Sequence, residues 1–187
     1  MSSESGPKRT SAAELRGLGF SHVEIVVATG LYSGFSPIAS GTVASAVAVL
    51  LVLPIYLFDP LAGNPLLRSL VLLVLAFVAT AVAIPLARKV SARVGSDPSL
   101  FTIDEFAGQW VALATPVIND PLWLVFGFFA FRLFDIAKTW PASYFDRRGG
   151  AVGIIGDDLI AGLYATISMH ILWYAFSLAG LVSSFFG

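Results

Sequence analysis

The chain has no cysteine and only two histidines among its 187 residues. The absence of cysteine excludes disulfides, thiolate zinc sites, iron–sulfur clusters and a cysteine nucleophile. Charge is also scarce, because Asp, Glu, Lys and Arg together make up 12% of the residues and the formal net charge is −1. Since a nucleic-acid-binding protein needs a clustered basic face, we expect no nucleic-acid partner.

Apolar residues take the place of charge, at 57% of the chain, with a mean hydropathy of +0.83. Average soluble domains have about 45–50% apolar residues, and disordered chains have fewer still, so the composition excludes both classes. The segments 38–58, 66–86 and 159–182 reach the roughly 20 apolar residues that a membrane-spanning helix needs. They predict an all-α, polytopic membrane helical bundle, with a polar N-terminal tail at 1–20 and a single membrane-embedded domain at 21–187.

Two further apolar segments, 106–118 and 121–134, are each short for a full span. They are joined by Asn119-Asp120-Pro121, and the residue before a proline is pushed out of the helical region. The pair predicts a helical hairpin that either crosses the membrane twice or enters partway and returns. We favour two crossings, which gives about five spans. The segment 18–31 is expected to be an interfacial or re-entrant amphipathic helix.

The distribution of lysine and arginine predicts the orientation. Three regions, 1–37, 87–105 and 135–158, lie on one side of a five-span chain. They contain Lys8, Arg9, Arg16, Arg88, Lys89, Arg93, Lys138, Arg147 and Arg148. Because cytoplasmic loops carry the excess of these residues, we expect the N-terminus inside and the C-terminus outside.

Two pairs of acidic residues stand at predicted helix starts on the same side. Asp104-Glu105 opens the hairpin, and Asp157-Asp158 opens the last span after the glycine-containing segment 149–156. Acids in a first turn also cap a helix and suit its dipole, so capping is one interpretation of both pairs. The functional interpretation is that they bind a metal ion.

Arg132, Asp135 and Lys138 are spaced i, i+3 and i+6, so they can crowd one helical face. Charged residues near the hydrocarbon region usually face a cavity or a partner, and the alternative is a simple ion pair with snorkelling ends. Arg147 and Arg148 follow, and a solvated loop that only fixes topology is the alternative for them.

Oxygen ligands without cysteine favour magnesium, calcium or manganese over zinc or copper. Carboxylates together with arginine and lysine at a membrane boundary are what phosphoryl chemistry on an anionic lipid needs. Small residues at 33–42, before the first long span, can form a further phosphate-facing nest.

Several motifs recur in one known family. They are Ser36-Pro37-x-x-Ser40-Gly41-Thr42-x-x-Ser45, Asp104-Glu105-Phe106-x-Gly108, Phe131-Arg132-Leu133-Phe134-Asp135-Ile136-x-Lys138-x-Trp140-Pro141, Phe145-Asp146-Arg147-Arg148 and Asp157-Asp158-x-x-Ala161-Gly162. The chain from about residue 30 to 165 resembles the phosphatidylglycerophosphatase A family. The family usually has Pro where Ser40 stands and commonly Gly where Ala44 stands. The resemblance of the chain to this family implies a magnesium-dependent phosphatase of the bacterial inner membrane that hydrolyses phosphatidylglycerophosphate to phosphatidylglycerol and inorganic phosphate.

The resemblance also suggests roles for the site residues, at an active site that faces the cytoplasm. We expect one or two magnesium ions and a water to be held by Asp104, Glu105, Asp157 and Asp158. Asp135 is a further ligand or the base. The anionic phospholipid substrate is expected to contact Arg132, Lys138 and Arg147, and the phosphate site to be lined by Gly41 and Thr42.

Two other classes of protein stay open as hypotheses. A small ion-coupled transporter also uses boundary carboxylates, but it places them more naturally at the bilayer midplane. A non-catalytic membrane subunit needs no acidic clusters. The sequence does not set the oligomeric state.

Overall fold

The computed structural model describes residues 10–57, 63–95, 99–115, 121–148 and 150–179. Within these ranges the regular structure is helical, which confirms the predicted all-α class. The elements are α1 (Ala12–Gly17), α2 (His22–Ala28), a 3-10 turn (Ser33–Phe35), α3 (Ser40–Leu57), α4 (Pro65–Arg93), α5 (Ile103–Leu113), α6 (Trp123–Ala137), α7 (Ala142–Arg148) and α8 (Gly150–Leu178).

Three of these helices, α3, α4 and α8, are long and apolar enough to cross a membrane. They correspond to the three predicted long spans, because continuous apolar length is a strong signal in sequence. Helix α4 starts where expected: the side chain of Asn64 accepts the N–H of Leu67, and Pro65 occupies the first turn.

Helix α8 differs from the prediction at its start. It begins at Gly150, so Asp157 and Asp158 lie inside the helix and do not cap it. Two glycines of its first turns serve packing: a Cβ on Gly153 would lie 2.6 Å from the carbonyl oxygen of Phe145, and one on Gly156 would lie 2.7 Å from the Phe145 ring. The short helix α7 therefore packs directly on the first turns of α8.

The two arms of the predicted hairpin are α5, with 11 residues, and α6, with 15. At a rise of 1.5 Å per residue they extend about 17 and 23 Å, short of a hydrocarbon core of about 30 Å. The Asn119-Asp120 part of the predicted turn lies outside the described residues. Five crossings and an inside N-terminus therefore stay predictions.

Helix α5 lies at the centre of the bundle and packs against α3, α4, α6 and α8. Its contact with α8 is very close: a Cβ on Gly108 would lie 2.6 Å from the carbonyl oxygen of Asp158, and Gly162 abuts the carbonyl of Gly108 in the same way. Since no side chain separates the two backbones, the acidic start of α5 is brought beside the acidic turns of α8.

The N-terminal helices α1 and α2 each start with a capping box, formed by Ser11 with Glu14 and by Ser21 with Glu24. The side chain of Leu15, on α1, is 1% exposed and joins the main apolar core. Helix α2 falls inside the segment 18–31 that was expected to be helical. The domain boundary at residue 20 stays a prediction.

Candidate active site

Three carboxylates from three separate helices meet at one place. Glu105 of α5, Asp135 of α6 and Asp158 of α8 each offer one oxygen, and these oxygens all lie within 4.8 Å of one another. The three side chains are largely buried: Glu105 is 14% exposed and Asp135 11%. Like charges this close in a poorly solvated place repel, so the cluster favours a cation. We call these three residues the carboxylate trio.

Arg132 links two members of the trio, Glu105 and Asp135. Its Nη1 donates to Glu105 Oε2 at 2.5 Å and to Asp135 Oδ2 at 2.8 Å, and it lies 3.3 Å from Ser45 Oγ. Asp135 is on the next turn of the same helix, at i+3. One guanidinium thus joins α6 to α5 and α3 and neutralises part of the charge of the trio.

The first turns of α3 form the wall behind Glu105. Ser45 Oγ donates to the carbonyl of Gly41 at 2.9 Å and lies 3.4 Å from Glu105 Oε2. A Cβ on Gly41 would collide with the Glu105 carboxylate and would lie 3.2 Å from Arg132 Nη1. Gly41 is therefore part of the site, because only a glycine leaves room for the carboxylate there.

A second ion pair lies beside the trio. Lys138 Nζ donates to Asp157 Oδ2 at 2.6 Å, with the Asp157 side chain 8% exposed and that of Lys138 38% exposed. Lys138 ends α6 in the left-handed conformation, with φ of 42°. Because neighbouring helical residues point about 100° apart, Asp157 faces Lys138 while Asp158 joins the trio.

Asp104 is buried next to the trio, and its Oδ1 accepts the backbone N–H of Glu105 at 3.0 Å. Asp158 interacts electrostatically with the other four acids of the region, Glu105, Asp104, Asp135 and Asp157. In the part of the chain that the structure describes, Arg132 pairs with Glu105 and Asp135 and Lys138 pairs with Asp157, so five carboxylates meet two cations in these contacts.

The donor set of the trio fits a hard cation. Three carboxylate oxygens without a sulfur or an imidazole are typical ligands of oxygen-preferring divalent ions. The cluster could therefore hold a metal ion.

Two of the predicted substrate residues are not part of these contacts. Arg147 lies in the last turn of α7 with an exposed side chain, outside the ion pairs of the described residues. Thr42 shares the first turn of α3 with Gly41, but within the described ranges no hydrogen bond joins it to the trio. The other predicted site residues, Asp104, Glu105, Asp135, Asp157, Asp158, Arg132, Lys138 and Gly41, lie together.

The structure adds Ser45 to the site and shows a buried amide, Gln109, on the same helix as Glu105. Ser45 contacts both Glu105 and Arg132, and its signal was a hydroxyl at i+4 from Gly41 in an otherwise apolar span. Gln109 is fully buried one turn after Glu105, and neither atom of its amide has a hydrogen-bond partner among the described residues. In the sequence, Gln109 stands out as a single amide side chain within the apolar segment 106–118.

Three helices long and apolar enough to cross a membrane, around a buried acidic site with paired cations, define the class as a helical membrane protein with a site for a charged group. A family model described as phosphatidylglycerophosphatase A matches residues 26–173, and the chain belongs to this family. Membership confirms the resemblance drawn from the motifs. It also confirms that the chain is an enzyme, a phosphatase acting on phosphatidylglycerophosphate.

Two of three similar curated proteins carry the name of this family, and the third is named for a different lipid phosphate. The chain is 34% identical over 171 residues to phosphatidylglycerophosphatase A of Escherichia coli K12. The aligned residues make up 90% of this chain and 91% of the relative. It is 36% identical over 149 residues to a Bacteroides thetaiotaomicron protein named "Putative phosphatidylinositol-3-phosphatase". These residues make up 79% of this chain and 91% of the relative. A Haemophilus influenzae phosphatidylglycerophosphatase A is 35% identical over 91 residues, 48% of this chain and 56% of the relative. No solved structure matches the chain.

Proposed function

We propose that Glu105, Asp135 and Asp158 bind Mg²⁺, and that this ion is required for hydrolysis of phosphatidylglycerophosphate to phosphatidylglycerol and inorganic phosphate. The observation that carries the proposal is the approach of three carboxylate oxygens to within 4.8 Å of one another. Held by these residues, Mg²⁺ would neutralise phosphoryl oxygens and lower the pKa of a water, supplying a nucleophile for hydrolysis of the phosphomonoester.

Asp104 and Asp157 complete the ligand set in this proposal, through a second ion or a bound water. Their burial beside the trio and their electrostatic interaction with it support this role. Asp135, held by Arg132, serves as a ligand or as the base that takes the proton of the water.

Arg132 and Lys138 bind the substrate in our account. The Nε of Arg132 is buried and has no hydrogen-bond partner among the described residues, so this donor is available to a phosphate oxygen after a small movement. Lys138 is more exposed than the trio and is suited to the phosphodiester of the headgroup. Gly41 and Thr42 would line the phosphate site, and Arg147 would contact the headgroup from α7.

The site is proposed to face the cytoplasm of a bacterial inner membrane. The support is the concentration of lysine and arginine in 1–37, 87–105 and 135–158, the regions that contain Asp104, Asp135 and Asp157.

Phosphate release by the purified full-length chain tests the function. The protein in detergent is given phosphatidylglycerophosphate with EDTA, and then with Mg²⁺ in excess. We expect release to stop with EDTA and to return with Mg²⁺. Equal release in the presence and absence of chelator would contradict the proposed metal.

A comparison of substrates distinguishes the two activities for which the relatives are named. Phosphatidylinositol 3-phosphate is compared with phosphatidylglycerophosphate and phosphatidic acid, because the Bacteroides relative carries the phosphatidylinositol name. We expect the highest kcat/KM with phosphatidylglycerophosphate. A higher value with phosphatidylinositol 3-phosphate would assign the inositol lipid as substrate instead.

A further inference from the structure

An apolar groove of about 500 Å³ runs along the outer surface of α6. It is lined by Phe129, Arg132, Leu133, Ile136 and Ala137. Among the described residues of this lining Arg132 alone is charged, and the same side chain donates to Glu105 and Asp135 of the trio. The groove and the candidate active site therefore share a wall.

The groove is apolar along its length. Phe129 and Leu133 are each 64% exposed and Ile136 is 69% exposed. Their spacing of four and three residues places them in one stripe on α6. From Phe129 to Ala137 the stripe extends about 12 Å, a large part of one leaflet of a core about 30 Å thick.

We propose that this groove seats one acyl chain of the phospholipid substrate, with the phosphate at Arg132. The inference rests on the proposed function. A lipid with an anionic headgroup is complementary to the groove. Its negative charge would lie at Arg132, and its hydrocarbon chain would lie along the apolar side chains. The substrate would then enter sideways from the bilayer, between α6 and the surrounding lipid.

A second apolar groove, on α8, allows a comparison with the α6 groove that contains Arg132. It has a similar volume, about 540 Å³, and is lined on α8 by residues that include Thr166, His170 and Ile171. His170 is hydrogen-bonded through both ring nitrogens, to the carbonyl of Thr166 and to Thr115. Among the described residues no lysine, arginine or carboxylate lines this groove, so it offers no charged partner to an anionic headgroup and supplies a matched control.

The test compares two full-length variants, Leu133→Trp in the α6 groove and Ile171→Trp in the α8 groove. Both residues are exposed to a similar extent, 64% and 63%. Each variant is assayed on dioleoyl phosphatidylglycerophosphate in vesicles and on its deacylated, water-soluble headgroup. Since a leucine-sized apolar contact is worth about tenfold in binding, we expect Leu133→Trp to lower the ratio of the two kcat/KM values about tenfold. Ile171→Trp should leave the ratio unchanged. An unchanged ratio in Leu133→Trp would overturn the proposal.

Photocrosslinking gives a readout that does not depend on turnover. A benzoylphenylalanine at position 133 or 171 is irradiated in phosphatidylcholine vesicles that contain a minor fraction of phosphatidylglycerophosphate. We expect the anionic lipid to be enriched in the product at position 133 and not at position 171. Labelling at 133 that matches the bulk composition, or crosslinks to a second copy of the chain, would overturn the proposal.

The two proposals fail in different ways. If the wild-type chain releases no phosphate from any lipid, the proposed function fails, and the crosslinks still report whether the groove selects an anionic lipid. If the wild-type chain is active and both readouts treat positions 133 and 171 alike, the groove fails while the function stands.

Discussion

Gly41 lies directly against the carboxylate of Glu105, and a Cβ cannot fit between them. This contact fixes the start of α3 against the start of α5 and leaves the Glu105 carboxylate between Gly41, Ser45 and Arg132. The site thus depends on the absence of a side chain as much as on the acids.

Replacing Gly41 by alanine should therefore reduce activity without unfolding the protein. Alanine favours a helix over glycine by about 1 kcal/mol, so the helix itself should not suffer. Displacement of the Glu105 carboxylate by about an ångström should lower kcat/KM about 100-fold. Gly17→Ala is the control, because no atom of the described residues lies within 4 Å of the added Cβ there. Wild-type activity in Gly41→Ala would show that the contact with Glu105 is not needed.

Arg132→Lys should be a severe change although it keeps the charge. Arg132 contacts Glu105 and Asp135 together, and an ammonium on a flexible stem does not reproduce a planar guanidinium. We expect kcat to fall about 100-fold, as for loss of one positioned donor, with the melting temperature little changed. Arg16→Lys, on α1, is the matched control. Equal kinetics in the two variants would remove Arg132 from the mechanism.

Lys138 and Asp157 should act as a pair. Their 2.6 Å contact predicts that Lys138→Met and Asp157→Asn are not additive. A double-mutant cycle in kcat/KM should give a coupling of about 0.5–3 kcal/mol. Additive effects within experimental error would mean that the two side chains work independently.

The contact between Glu24 and Lys89 should give a pH dependence of stability away from the site. Lys89 Nζ donates to Glu24 at 2.5 Å, and this bond, with the backbone N–H of Ser21, lowers the pKa of Glu24 from its ordinary 4.5 to about 2. A depressed pKa in the folded state stabilises the fold above pH 4.5 and loses that effect as the pH falls toward 2. As the pH falls across this window, the melting temperature of the wild type should therefore decrease more steeply than that of Glu24→Gln. Parallel pH profiles would contradict the assignment.

Much of the bundle could be predicted from the sequence, because apolar length alone marks α3, α4 and α8. The start of α8 could not be predicted, since its first turns form against Phe145 of α7, a tertiary contact at Gly153 and Gly156. That difference moves Asp157 and Asp158 from a helix start to a helix interior.

The sequence singles out the acidic residues that lie close together in the structure, but it does not show how they group. Adjacent acids in sequence point in different directions on a helix, so Asp157 pairs with Lys138 while Asp158 meets Glu105 and Asp135. The trio forms because Gly108 lets α5 approach α8, a contact between residues far apart in the chain.

The most direct test of the account is Mg²⁺-dependent phosphate release by Glu105→Gln, Asp135→Asn and Asp158→Asn, with Mn²⁺ binding measured in parallel by electron paramagnetic resonance. Glu14→Gln is the control, because glutamine also completes the capping box at Ser11. The account predicts that each trio variant loses activity more than about 100-fold and binds Mn²⁺ weakly, while the control resembles wild type. Trio variants that keep both wild-type turnover and Mn²⁺ binding would contradict it.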